Sequence, residues 1–227
     1  MKQALPFILA LLALHSVPLI LSASPSYAFF YFVQQWPGSA CDAKMPCSYP
    51  TTGKPAADFI IRGLWPGSLD GSSPSNCDPR NLFNPSQVED LLPQLRKVWP
   101  SLSCPSSSGA YKWAREWETR GTCSKTVLNQ HQYFQAAIKL KPKANILSIL
   151  TKAGIRPNGG FYSKYSISEA IRTSIGYEPY IECNVDKSGN SQLYQVHVCV
   201  DTSASKIIEC PGMPQGGCGS KLKFPAF

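Results

Sequence analysis

Histidine is nearly missing from this chain of 227 residues, which has three, at positions 15, 131 and 197. The first lies in an apolar leader, so only His131 and His197 remain for a folded domain. The nine cysteines do not make up the deficit as metal ligands, because no two of them stand at CxxC spacing. A zinc centre is therefore not expected, nor any other metal or cofactor. Internal repeats and long linkers are missing as well, and so are N-x-S/T sequons. Beyond the leader no stretch is apolar enough to span a bilayer, so no membrane partner is expected.

What is present begins with a secretory leader. Lys2 supplies a positive start, and Pro6 to Leu21 form an uncharged apolar run broken by His15, Ser16 and Pro18. Small residues at Ala23, Ser26 and Ala28 offer cleavage points between 23 and 28, giving a leader at 1–28 and one domain at 29–227. The cysteines at 41, 47, 77, 104, 123, 183, 199, 210 and 218 all follow the leader. In an oxidising compartment they read as structural disulfides, with one thiol left over. The secretory route ends outside the cell or in a vacuole. Loss of the leader removes Lys2 and no acid, so the formal charge of +8 falls by one. A basic surface of this kind favours polyanions, although spread charge on a soluble protein gives the same total.

Phe29 to Gln35 is aromatic and β-branched and reads as a core strand, and a second strand runs into Arg62. Asn84-Pro85 opens a helical pattern through Val88, Leu91, Leu92, Leu95, Val98 and Trp99, which Pro93 should kink or split. Further helices are expected near 112–120, 130–140 and 145–153. Ser166 with Glu169 forms a capping box before a short helix closed by Gly176. Near the C-terminus, Tyr194, Val196, Val198 and Val200 should share one strand face, with Gln195, His197 and Cys199 on the other. Helices in the middle with strands at both ends indicate an α+β domain.

Two segments carry chemistry. Phe59 to Pro66 reads FIIRGLWP, and Trp113 to Cys123 reads WAREWETRGTC. Together with FVQQWP at Phe32 to Pro37, they resemble the active-site motifs of the RNase T2 family, and most closely its plant S-like branch. The resemblance covers nearly the whole chain after the leader. It implies a single domain with a central antiparallel sheet, helices packed around it and disulfide staples. The pairing it implies is Cys41–Cys47, Cys77–Cys123, Cys183–Cys218 and Cys199–Cys210. Ser48 stands where such enzymes often carry a second cysteine, which leaves Cys104 as the free thiol.

The family cleaves single-stranded RNA by attack of a ribose 2′-hydroxyl on the adjacent phosphorus, through 2′,3′-cyclic phosphates. The resemblance implies a histidine acid at position 62, a histidine base at 120 and a phosphate-holding histidine at 115. Glu116 and a lysine at 119 would stand beside them. This chain has Arg62, Arg115, Thr119 and Arg120 instead. A guanidinium stays protonated to a pH above about 12, so it offers donors and no acceptor. Catalysis by acid and base is worth about 10²–10⁴-fold per group, and neither group is in place. A guanidinium fork still binds phosphate well. Glu116 and Arg120, four apart on a helix, would alternatively pair with each other.

Substrate contacts implied by the resemblance are Gln35, Trp65, Arg62 and Arg115. For Trp65, Trp113 and Trp117, core packing is weighed above base stacking. Gln35 reads equally as a base contact or as a buried glutamine tying down a strand. His131 and His197 read as surface or disulfide-side residues rather than replacement catalysts. Three functions follow: a monomeric plant storage or defence protein without nuclease activity, a weak binder of single-stranded RNA or nucleotides without turnover, and an active secreted or vacuolar endoribonuclease.

Overall fold

The computed structural model describes residues 27–44, 47–213 and 217–227. The leader thus lies outside the described residues up to 26. Tyr27 and Ala28 already belong to the packed domain. The Tyr27 ring is buried and its hydroxyl donates to the Thr202 carbonyl at 3.0 Å. The Ala28 N–H donates to the Gly67 carbonyl at 2.8 Å.

In chain order the elements are β1 (Phe29–Gln35), α1 (Pro37–Cys41), β2 (Ile60–Gly67), a 3₁₀ turn at Pro85–Leu91, α2 (Leu92–Val98) and α3 (Ala110–Thr119). A second 3₁₀ turn at Gly121–Ser124 follows, then α4 (Gln130–Lys143), α5 (Ile146–Lys152), β3 (Phe161–Ser163) and α6 (Lys164–Ile175). The chain closes with β4 (Tyr180–Val185), β5 (Ser191–Val200), β6 (Ile207–Ile208) and β7 (Lys221–Lys223). One seven-stranded sheet runs in the order β2-β1-β5-β7-β3, with β4 and β6 also paired to β5. Its pairings are antiparallel except for the short parallel contact of β5 with β7. The helices cover one face, where Phe30, Phe32 and Val198 meet Leu95, Trp113, Trp117 and Phe134 in the main core. The other face buries a smaller cluster of Phe29, Tyr31, Val33 and Cys199.

Two β-bulges interrupt the register. Val33 pairs with Gly63 and Gln34 with Ile61, so Arg62 is an extra residue in β2. Glu182 pairs with Gln195 and Cys183 with Leu193, so Tyr194 is an extra residue in β5. The second bulge corrects the expected face pattern. Leu193, Val196, Val198 and Val200 share the core, and Tyr194 is turned out of that alternation.

Other local expectations change in place. The helical pattern after Asn84 is split as expected, but the break falls at Val88, whose φ is −130°. Pro93 instead occupies the first turn of α2, where its missing N–H costs nothing. The Ser166–Glu169 capping box does not form. The strand pair β3–β7 leads straight into α6, which starts at Lys164 with Ser163 as N-cap. Ser166 is already inside the helix, and Glu169 accepts two hydrogen bonds from Arg172. A reciprocal box does exist at α4, where Asn129 and Gln132 cap each other's backbone N–H groups.

The disulfides closed are Cys41–Cys47, Cys77–Cys123, Cys183–Cys218 and Cys199–Cys210. Cys104 is free and exposed, with its sulfur 2.8 Å from Ser48 Oγ. Ser48→Cys should therefore close a fifth bridge over a long loop and add about 2–4 kcal/mol of stability. Thiol titration of the denatured, unreduced proteins should find one thiol in the parent and none in the variant. One thiol in the parent and two in the variant would show that the bridge fails to form.

Candidate functional site

The two motif segments meet at one cleft of about 1040 Å³, lined by Gln35, Arg62, Trp65, Lys112, Arg115, Glu116, Thr119, Arg120 and Tyr194, with the 101–107 loop as its far wall. β2 supplies Arg62 and Trp65, and α3 supplies one face carrying Lys112, Arg115, Glu116 and Thr119. These positions recur at helical spacing, while Trp113 and Trp117 turn the other way into the core. Every residue singled out in the sequence as vestigial or substrate-binding is therefore brought to one cavity.

The two bulges aim side chains at this cleft. Arg62 and Tyr194, the extra residues of β2 and β5, both line it. Without the bulge, strict alternation would put Arg62 opposite Ile61, and Leu64 would leave the core it shares with Ile61. Trp65 follows and is only partly buried. Gly63 makes room for its ring, since a Cβ there would come within 1.8 Å of Trp65 Nε1. The Arg62 and Arg120 guanidinium carbons stand 5.6 and 5.8 Å from the centre of the Trp65 ring, a cation–π arrangement from two elements. Trp65 is thus the tryptophan available to the cleft. Trp113 donates to the Trp99 carbonyl and Trp117 to Asn81, and both are buried.

Glu116 and Arg120 do not form the local ion pair. The Glu116 carboxylate is buried and turned inward, where Oε1 accepts from the Leu64 N–H at 3.2 Å and from the Tyr133 hydroxyl at 3.1 Å. Burial raises its pKa above the usual carboxylate value, against the opposing pull of Arg62 and those hydrogen bonds. Arg120 is the C-cap residue, with φ −119° and ψ −46°, so it leaves the helical face. Its Nη1 donates to the Ser73 carbonyl at 2.9 Å, to Ser73 Oγ at 3.0 Å and to the Pro74 carbonyl at 3.2 Å. The chain turns sharply behind it, where Gly121 lies so close to Trp117 that a Cβ would meet the ring at 2.3 Å.

Gln35 combines its two readings. It is 7% exposed, accepts from Gln195 Nε2 at 3.4 Å, and still borders the cleft. Arg115 is exposed on the α3 wall. Neither histidine reaches the chemistry. His131 is on the surface with Asp90 at 2.9 Å, and His197 is buried behind Trp65 with Glu182 at 3.1 Å.

Lys112 is a cleft residue that sequence reasoning did not single out. Its ammonium donates to the Pro100 carbonyl at 2.9 Å, and burial together with the Arg62 charge pulls its pKa down to about 7. It also stands in the first turn of α3, at the positive end of the helix dipole, where a cation is disfavoured. A lysine in that turn, directly ahead of a motif, was the signal available in the sequence.

Residues 27–210 match the Ribonuclease T2 family. The chain belongs to that family. It is 56% identical over 214 residues to Ribonuclease 1 of Arabidopsis thaliana, covering 93% of each chain. It is 53% identical over 227 residues to Extracellular ribonuclease LE of Solanum lycopersicum, covering 100% of this chain and 99% of that protein. Among solved structures, RNase NT in complex with 5′-AMP superposes with a TM-score of 0.86 at 51% identity, covering 88% of this chain and 99% of that one. This RNase T2 family member therefore shares its domain with proteins named as plant ribonucleases. Among its described residues no helix is long and apolar enough to cross a membrane.

Proposed function

We propose that this RNase T2 family member binds single-stranded RNA or nucleotides weakly, as a monomer, and does not turn them over by the proton-transfer chemistry of the family. The observation that carries the reading is the make-up of the cleft. Arginines occupy the positions where the resemblance implies an acid, a base and a phosphate holder, and Thr119 stands where it implies a lysine. Two groups in the cleft have shifted proton affinity: Glu116, raised by burial, and Lys112, pulled down to about 7. Glu116 lines the cleft, but its Oε1 is engaged by the Leu64 N–H of β2 and the Tyr133 hydroxyl. Phosphate affinity survives because guanidinium groups hold it through paired donors. RNase NT, whose structure is a complex with 5′-AMP, supports nucleotide binding by this family member.

We place the leader cleavage before Tyr27, because Tyr27 and Ala28 are part of the packed domain. The secretory route it implies leads outside the cell or to a vacuole, and the tomato relatives include both an extracellular and an intracellular ribonuclease.

Trp65 gives the direct test. Titration with oligouridylate at low salt should quench tryptophan fluorescence, and Trp65→Phe should remove the quench, because the other motif tryptophans are buried. No quench in the parent, or an undiminished quench in Trp65→Phe, contradicts binding in this cleft.

A further inference from the structure

The cleft holds four cations from three places: Arg62 on β2, Lys112 and Arg115 on α3, and Arg120 at the end of that helix. Three are fixed charges, since arginine does not lose its proton at any ordinary pH. Lys112 differs in kind. Its single described hydrogen bond goes to a neutral acceptor, the Pro100 carbonyl, and its surroundings on β2 and α3 are mainly cationic. The other titratable groups lining the cleft are Tyr111 and Glu116 on its own helix, Cys104 on the far wall and Tyr194 from β5. Of these, Glu116 is the one charge that favours the ammonium form, and it is occupied with β2 and Tyr133.

We propose that Lys112 is a proton-linked phosphodiester-binding residue, which takes up a proton as an RNA phosphodiester enters between it and the arginines. The proposal rests on the reading of this cleft as a phosphate site and adds how that site responds to pH. An anion placed among Arg62, Lys112 and Arg115 offsets the repulsion that Arg62 exerts on the lysine. It also supplies the charged acceptor that the Pro100 carbonyl is not. Binding and protonation then help each other, as linkage requires.

The sign follows from the direction in which the half-buried Lys112 ammonium is shifted, pulled down to about 7 by desolvation and the Arg62 charge, with only the neutral Pro100 carbonyl as its acceptor. Well below that pH the ammonium is already formed, so affinity is flat and no proton is taken up. Above it the free lysine is neutral, so each binding event draws up to one proton from solution. Affinity then falls by up to about tenfold per pH unit until the pKa of the complex is reached. Phosphodiester binding is thus strongest in an acidic compartment and weakens as the pH rises past neutrality.

Calorimetry of the full domain with the dinucleoside phosphate uridylyl-uridine tests this, because that ligand has no group titrating between pH 5 and 8.5. Titrations at pH 8 in buffers of different ionisation enthalpy should show uptake of about half to one proton, and at pH 5.5 uptake near zero. Lys112→Arg should bind about as tightly at pH 8 as at pH 5.5 and abolish the uptake. Lys112→Met should weaken binding at pH 5.5 by roughly tenfold and also show no uptake. Binding without proton uptake in the parent overturns the role of Lys112 and leaves the phosphate site standing. Uptake that persists in Lys112→Arg also overturns it and places the proton on another group of the cleft. No binding at either pH overturns the proposal together with the reading it rests on.

Discussion

Incubated with single-stranded RNA between about pH 4 and 8, the purified protein should cleave at least about a hundredfold more slowly than a histidine-bearing relative. An acid at position 62 and a base at 120 would each contribute about 10²–10⁴-fold, and guanidinium groups replace neither role. Turnover within about tenfold of such a relative would contradict the account, because the loss of one group alone costs more. Arg62→His with Arg120→His should restore part of the activity. Either single change should restore little, since acid and base act as a unit. Recovery should be incomplete for two local reasons. Arg120→His gives up the three bonds that hold the segment at Ser73 and Pro74. Thr119, on the cleft wall, supplies no cation to the phosphorane.

Binding to single-stranded oligonucleotides should be strongly salt-dependent, because association releases counterions from each neutralised phosphate. The logarithm of the affinity falls with the logarithm of salt by about 0.7 per contact for single strands. Arg62→Ala with Arg115→Ala should flatten the slope by about that amount for each lost contact, and should weaken binding at low salt by at least tenfold. These two residues are chosen because neither holds the fold. Arg62 lies over Trp65 and Arg115 is exposed. Arg120 is a poorer probe, since its loss also frees a loop. A slope unchanged in the double variant would place the phosphate elsewhere on the basic surface.

How far the sequence could be read depended on the kind of signal. β1 is plain from its aromatic and β-branched run, and α2 from the apolar spacing that ends at Val98 and Trp99. The cleft residues were legible because two motifs concentrate them. The bulges at Arg62 and Tyr194 were not, since alternation counts residues and cannot show where one is left unpaired across the ladder. Yet those bulges aim both side chains. The fate of Arg120 was hidden for a similar reason. The i,i+4 rule sees Glu116 but not Ser73 and Pro74, which tertiary folding brings to the helix end. The sequence places Lys112 in the first turn of α3, and the packing of Trp99 and Pro100 against that helix holds its ammonium on a carbonyl. The S-x-x-E pattern at Ser166 falls where a strand already fixes the helix start, and the box that forms, at Asn129 and Gln132, uses asparagine as the cap.

The central claim is that the cleft holds an RNA phosphodiester without cutting it. The most direct measurement follows one end-labelled, single-stranded oligoribonucleotide by anisotropy at low salt and pH 5.5, then recovers it and resolves its length. The account predicts a saturable rise in anisotropy, reversed by salt, with the oligonucleotide recovered at full length. Fragments ending in 2′,3′-cyclic phosphate, formed at a rate near that of a histidine-bearing relative, would contradict it.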